Sequence, residues 1–128
     1  MMQHSPGFLA LVKEASKDVS EVSVAEAKQM LAANDKVRLI DVREDSEWNQ
    51  QHAAEALHLG KGIFERDIEV KIPDKSTEII LYCGGGYRSI LTAEVAQRMG
   101  YRHVHSLAGG YKAMLQADWP MESIADPA

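Results

Sequence analysis

Residues 78–89 read EIILYCGGGYRS. From Glu78 to Cys83 the run is apolar and β-branched, and a glycine triplet stops it, which is the pattern of a buried strand. From Ser89 the period changes. Ile90, Leu91, Ala93, Val95, Ala96 and Met99 recur at helical spacing, and Gly100 stands where a helix C′ residue is expected. A strand, a glycine loop and a helix make one βα unit, so the fold class depends on whether this pattern repeats.

It repeats on both sides. Upstream, Val37-Arg-Leu-Ile-Asp-Val42 reads as a second buried strand, residues 45–53 as a short helix with Trp48 on one face, and 56–59 as a short strand. Residues 63–70 have helical spacing and stop before Pro73, which cannot continue a helix. Downstream, 103–107 reads as a strand, Gly109-Gly110 as a turn and 111–117 as a last helix. Ser23-Val-Ala-Glu26 matches a capping box and opens a helix to about Ala33, with Ala27, Met30 and Leu31 inward. Strands that alternate with helices require crossover connections, so we expect a single α/β domain with a mostly parallel central sheet flanked by helices on both faces. The domain is expected over residues 19–120. Residues 1–18 form an extension with an amphipathic helix over 7–17, and 121–128 form a tail expected to fray.

Composition narrows the function classes. The chain has 128 residues, a formal net charge of −5 and no concentration of Lys and Arg, which argues against nucleic acid as a partner. No apolar run approaches the roughly 18–20 residues of a membrane span. The start lacks a basic n-region and an A-x-A site, so no signal peptide is expected. Cys83 is the single cysteine and has no partner for an internal disulfide. That fits a reducing compartment, and the expected location is cytoplasmic.

In open parallel sheets chemistry collects beyond the carboxyl ends of strands, where this pattern puts Cys83. Gly84, Gly85 and Gly86 can curl so that successive N–H groups point inward, forming an anion-binding nest. A helix beginning at Ser89 adds unpaired N–H donors and a partial positive charge, and Arg88 adds a full one. All of these favour a thiolate, the nucleophilic form of cysteine, and would equally cradle an oxyanion. The plainer reading is that Cys83 is a small buried hydrophobe ending a strand, with a tight turn after it. The G-x-x-x-x-G-K of a P-loop is absent.

Several stretches together resemble the rhodanese family, in particular its single-domain bacterial members. They are "LIDVRE" at 39–44, "EW" at 47–48, "LYCGGGYRS" at 81–89 and "SLAGGYKAM" at 106–114, within a resemblance that runs from Val19 to Trp119. The family's six-residue loop starts at its cysteine and maps onto Cys83 through Arg88. The resemblance implies sulfur transfer. The Cys83 thiolate attacks the outer sulfur of thiosulfate, sulfite leaves, and the Cys83 persulfide passes its sulfur to cyanide or a thiol. It implies that Gly84, Gly85, Gly86, Tyr87, Arg88 and Ser89 form the persulfide and donor loop. Tyr87 would shape access, and Arg88 would hold the donor's oxyanion or the loop. Asp41 and Arg43, on the family's D-V-R segment, are expected to brace the loop or to be a structural ion pair. The family's G-H-I-x-G-A segment is here Gln51-His-Ala-Ala-Glu-Ala56 without either glycine, so the turn there is expected to be reshaped.

No cofactor or metal is implied. His103 and His105 share one side of a strand, but two ligands alone do not make a metal site. His52, His58, Trp48 and Trp119 are read as packing or surface residues, and the charges of 65–71 as a solvated helix face. Two rivals to a sulfurtransferase remain. One is a sulfur carrier or interaction module with a protein sulfur partner. The other is a phosphatase or arsenate-reductase-like enzyme, whose family loop resembles Cys-x5-Arg. Here Cys83 to Arg88 is the shorter Cys-x4-Arg, which suits a single sulfur atom better than a tetrahedral phosphate.

Overall fold

The computed structural model describes residues 4–124. Helix α1 (Pro6–Ser16) leads into β1 (Ser20–Val22), α2 (Val24–Ala33), β2 (Arg38–Asp41), α3 (Asp45–Gln50), β3 (His52–Ala53) and β4 (Leu57–His58). Then come α4 (Phe64–Lys71), β5 (Glu78–Tyr82), α5 (Arg88–Arg98), β6 (His103–Leu107), α6 (Gly110–Gln116) and β7 (Met121–Glu122). Five strands form one sheet in the order β1-β6-β5-β2-β4, and every pairing in it is parallel.

The apolar residues of the strands alternate between two layers. Ile79, Leu81 and Cys83 join a cluster with Val12 and Ala15 of α1, Phe64 and Ile68 of α4, and Ile90, Ala93 and Ala96 of α5. Ile80 and Tyr82 face the other way, onto Ala27 of α2, Met114 of α6 and Trp119. Helices thus cover both faces, and β5, the middle strand, is buried on both, as its unbroken apolar run requires.

Local signals fix several helix ends. Ser23 and Glu26 form the expected capping box, Ser23 Oγ accepting from the Glu26 N–H at 3.1 Å. Gly100 has φ 102° just past α5, a left-handed turn that glycine adopts without steric cost.

Three elements differ from the sequence reading. The helix expected over 45–53 ends at Gln50, and His52–Ala53 forms strand β3 instead. β1 pairs in parallel with β6, although SEV is too short and polar to carry an alternation signal. The segment expected to fray from residue 121 instead forms β7, antiparallel to β3, with His52 opposite Glu122 and Ala53 opposite Met121. Its stability comes from backbone pairing and the neighbouring Trp119, which is 5% exposed, rather than from its own composition. Residues 125–128 of that expected tail lie outside the described residues.

Candidate active site

β5 carries Cys83 to the carboxyl edge of the sheet, and its side chain is 1% exposed. The N–H of Gly86 donates to Sγ at 3.2 Å and that of Ser89 at 3.4 Å. Ser89 Oγ also lies 3.4 Å from Sγ and 2.7 Å from Ser106 Oγ on β6. When the sulfur is a thiolate, Ser89 donates to it and accepts from Ser106, so both hydroxyls are satisfied. Ser106 enters this relay only through the β5–β6 register, and it lies too far along the chain for spacing arguments to connect it with Cys83.

Of the three glycines, only Gly86 takes a left-handed backbone, at φ 101°. Gly85 is exposed, and a Cβ on it would meet nothing within 4 Å. Gly84 lies beside the Arg88 guanidinium, 3.2 Å from a Cβ built there. α5 begins at Arg88 with Tyr87 at the N-cap, one residue before the expected start, so the Ser89 N–H is one of the helix's unpaired donors.

The loop is held from behind by the second glycine turn. The Tyr111 N–H donates to the Cys83 carbonyl at 2.7 Å, and the Lys112 N–H donates to that of Gly84 at 3.1 Å. Gly110 makes this approach possible. Its φ is +54°, and a Cβ there would stand 2.4 Å from the Cys83 carbonyl oxygen.

Arg88 is not a free cation. Its guanidinium donates to both carboxylate oxygens of Glu47 on α3, at 3.0 and 3.1 Å, and these bonds hold the Glu47 carboxyl below its ordinary value. The side chains are 30% and 35% exposed, so the pair contributes at most about 1 kcal/mol. A carboxylate whose pKa falls on folding stabilises the fold above its unfolded value, and that contribution is lost as pH drops through the folded one. Glu47→Gln is therefore expected to lower the urea midpoint slightly, with the deficit present above about pH 4.5, the ordinary glutamate value, and closing as the pH falls below it. Paired urea titrations between pH 7 and pH 3 check this. A deficit that grows towards acid would contradict it.

Asp41 and Arg43 form a buried ion pair at 2.8 Å, with Arg43 Nε also bonded to both carboxylate oxygens. Burial opposes the charge on Arg43, and the Asp41 hydrogen bonds override it, raising its pKa. The guanidinium donates to the Gln51 carbonyl at 2.6 Å and lies over the Tyr111 ring, 4.3 Å from its centroid. Its link to the loop therefore runs through Tyr111, whose N–H holds the Cys83 carbonyl. Gln51, which stands where the family pattern has glycine, accepts a hydrogen bond from the Tyr111 hydroxyl. Beyond it, the Trp48 ring stacks on His52 at 3.4 Å and on His58 at 4.7 Å. His105 has both ring nitrogens engaged, one with Ser20 Oγ and one with Glu78.

A cavity of about 810 Å³ opens over Cys83, lined by His4, Phe8, Tyr87, Arg88 and Lys112 among others. Tyr87 is 40% exposed, and the ring of His4 lies 4.9 Å from its ring edge-on. A buried thiol at a strand end, amide N–H groups aimed at its sulfur and a cavity above it suit nucleophilic attack on a small electrophile.

The family model described as "Rhodanese-like domain" matches residues 23–117. The chain is 34% identical over 73 residues to the thiosulfate sulfurtransferase PspE of Escherichia coli, a match covering 57% of this chain and 69% of that protein. It is 30% identical over 92 residues to the thiosulfate sulfurtransferase GlpE of Coxiella burnetii, covering 72% and 83%. Among solved structures, RPA3614 of Rhodopseudomonas palustris superposes with a TM-score of 0.81 at 26% identity, covering 95% of this chain and 99% of that one. RPA3614 is described as a protein of unknown function and a possible tyrosine phosphatase.

Proposed function

The chain belongs to the rhodanese-like domain family, and on that premise we propose that it is a sulfurtransferase that works through a persulfide on Cys83. The thiolate attacks the outer sulfur of thiosulfate. The S–S bond of the donor breaks, its electron pair leaves with sulfite, and the sulfane sulfur stays on Cys83. A cyanide ion or a thiolate then attacks that outer sulfur, the new S–S bond breaks, and Cys83 departs as the thiolate. No net oxidation occurs, and neither a metal nor a cofactor is required.

The observation that carries this reading is the pair of N–H groups, from Gly86 and Ser89, aimed at a sulfur on the buried side of the cavity. Donors of this kind stabilise the negative sulfur before attack and again when it leaves. Gly84, Gly85 and Tyr87 complete the loop, and Arg88 holds it to α3 through Glu47. Asp41 and Arg43 act as positioning residues through Tyr111. A phosphatase reading is weaker on two counts. The loop is one residue shorter than Cys-x5-Arg, and the arginine that would hold a phosphate is occupied by Glu47.

Intact-protein mass spectrometry after incubation with thiosulfate tests the proposal. A gain of one sulfur atom is expected, removed again by cyanide. No gain with thiosulfate would overturn the thiosulfate step. A persulfide that forms without steady turnover would point to a sulfur carrier that needs a protein partner.

A further inference from the structure

The cavity over Cys83 is not built by the family-matched stretch alone. His4 and Phe8 come from the segment before residue 23, where the family match begins. They close on the loop as a cluster of three rings. His4 lies 5.2 Å from Phe8 and 4.9 Å from Tyr87, and Phe8 lies 6.3 Å from Tyr87. Helix α1 is anchored to do this, because Val12 and Ala15 are buried against the α5 layer and Phe8 packs partly into the same cluster.

The cavity's charges are unequally committed. Arg88 is taken by Glu47, whereas Lys112, also in the lining, forms no ion pair among the described residues. About 810 Å³ falls within the roughly 300–1,000 Å³ that encloses a drug-sized ligand, much more than thiosulfate needs. The aromatic wall stands beside a sulfur that is only 1% exposed. A slim thiol can pass that wall, whereas a cysteine on the convex surface of a folded protein meets the wall first.

We propose that Lys112, His4 and Phe8 select the sulfur acceptor, and that it is a low-molecular-weight thiol of peptide size bearing an anionic group. Its anion pairs with Lys112, and its body lies on the His4–Phe8–Tyr87 rings. The proposal rests on the persulfide reading above. In the transfer step the acceptor thiolate RS⁻ attacks the outer sulfur of Cys83–S–SH. An RS–S bond forms and the Cys83–S bond to that sulfur breaks. RSSH leaves with the proton, and Cys83 keeps the electron pair as the thiolate.

The experiment is single-turnover discharge of protein persulfidated in advance and freed of thiosulfate, so that donor binding plays no part. The acceptors are mercaptoacetate (anionic), 2-mercaptoethanol (neutral), cysteamine (cationic) and glutathione. Comparing each variant with wild type for one acceptor cancels that thiol's intrinsic reactivity. Lys112→Met is expected to reduce the mercaptoacetate-to-cysteamine rate ratio about five-fold, the scale of one exposed ion pair, and Lys112→Arg to restore it. Phe8→Ala is expected to reduce the glutathione-to-mercaptoethanol ratio about five-fold, the scale of an aromatic contact. Ratios unchanged from wild type in both variants overturn the proposal, as does faster discharge by a protein thiol such as reduced thioredoxin than by glutathione. Either result leaves the persulfide mechanism standing. Failure to load the persulfide at all is a different result and removes both.

Discussion

Cys83→Ser is expected to reduce sulfur transfer from thiosulfate to cyanide by at least about 10⁴-fold, the usual cost of deleting a covalent nucleophile. Serine keeps the shape of the site but loses the chemistry. A hydroxyl is un-ionised near neutral pH, and among the described residues no histidine is bonded to this position to act as a base. The fold should survive, because the serine oxygen can accept from the same Gly86 and Ser89 N–H groups and leaves no buried donor unpaired. The unfolding midpoint should stay within about 4 °C of wild type, equivalent to roughly 1 kcal/mol in a domain of this size. Thiocyanate formation and a thermal melt of the same preparation check both halves. Transfer at more than a hundredth of the wild-type rate in a folded variant would remove Cys83 from the mechanism.

The second large effect is expected at a residue that touches no substrate. Gly110→Ala puts a methyl group 2.4 Å from the Cys83 carbonyl oxygen and 3.0 Å from the carbonyl carbons of Cys83 and Gly84. Those are backbone atoms and cannot rotate away. The left-handed backbone at φ +54° adds its own cost, roughly 1–2 kcal/mol for a residue with a Cβ. Together with overpacking of some 1–3 kcal/mol, the loss of stability should reach roughly 2–5 kcal/mol. Where the variant remains folded, transfer should fall about 100-fold, since displacing the loop by about an ångström moves the N–H groups off the sulfur. Gly62→Ala is the control, because its Cβ would meet nothing within 4 Å. Urea unfolding and thiocyanate formation separate the two effects. A Gly110→Ala protein as stable and active as the control would show that the glycine turn does not hold the loop.

The sequence carried the central βα unit well because each of its signals is local. An unbroken apolar run can only be a doubly buried strand or a helix segment, and the glycines after Cys83 decide between them. The capping box at Ser23 and Glu26 is likewise settled within one turn. What stayed hidden depends on partners distant in the chain. SEV becomes a strand only because β6 offers it an edge, and Met121–Glu122 only because His52–Ala53 does. In the site, Cys83 and its loop were visible as a run of residue types. The sequence left Arg88 to hold either the donor's oxyanion or the loop, and the Glu47 that pairs with it lies 41 residues away. Ser106, 17 residues from Ser89, and His4, which closes on Tyr87, were hidden for the same reason. His4 and Phe8 stand at i,i+4, but nothing local joins them to Tyr87, about 79 residues further along the chain.

The strand order has a consequence for the nascent chain. β1, the first of the sheet's five strands in chain order, pairs with β6, the last of them, and the turn that holds the catalytic loop follows β6. A growing polypeptide that has already delivered Cys83 to solvent still lacks the β6 edge and the Gly109–Gly110 turn. Non-local parallel pairing of this kind closes late and slowly. The thiol therefore passes through an interval in which it is translated, accessible and without the amide cradle. Oxidative trapping during synthesis should act on a chain that has made its nucleophile but not yet its active site.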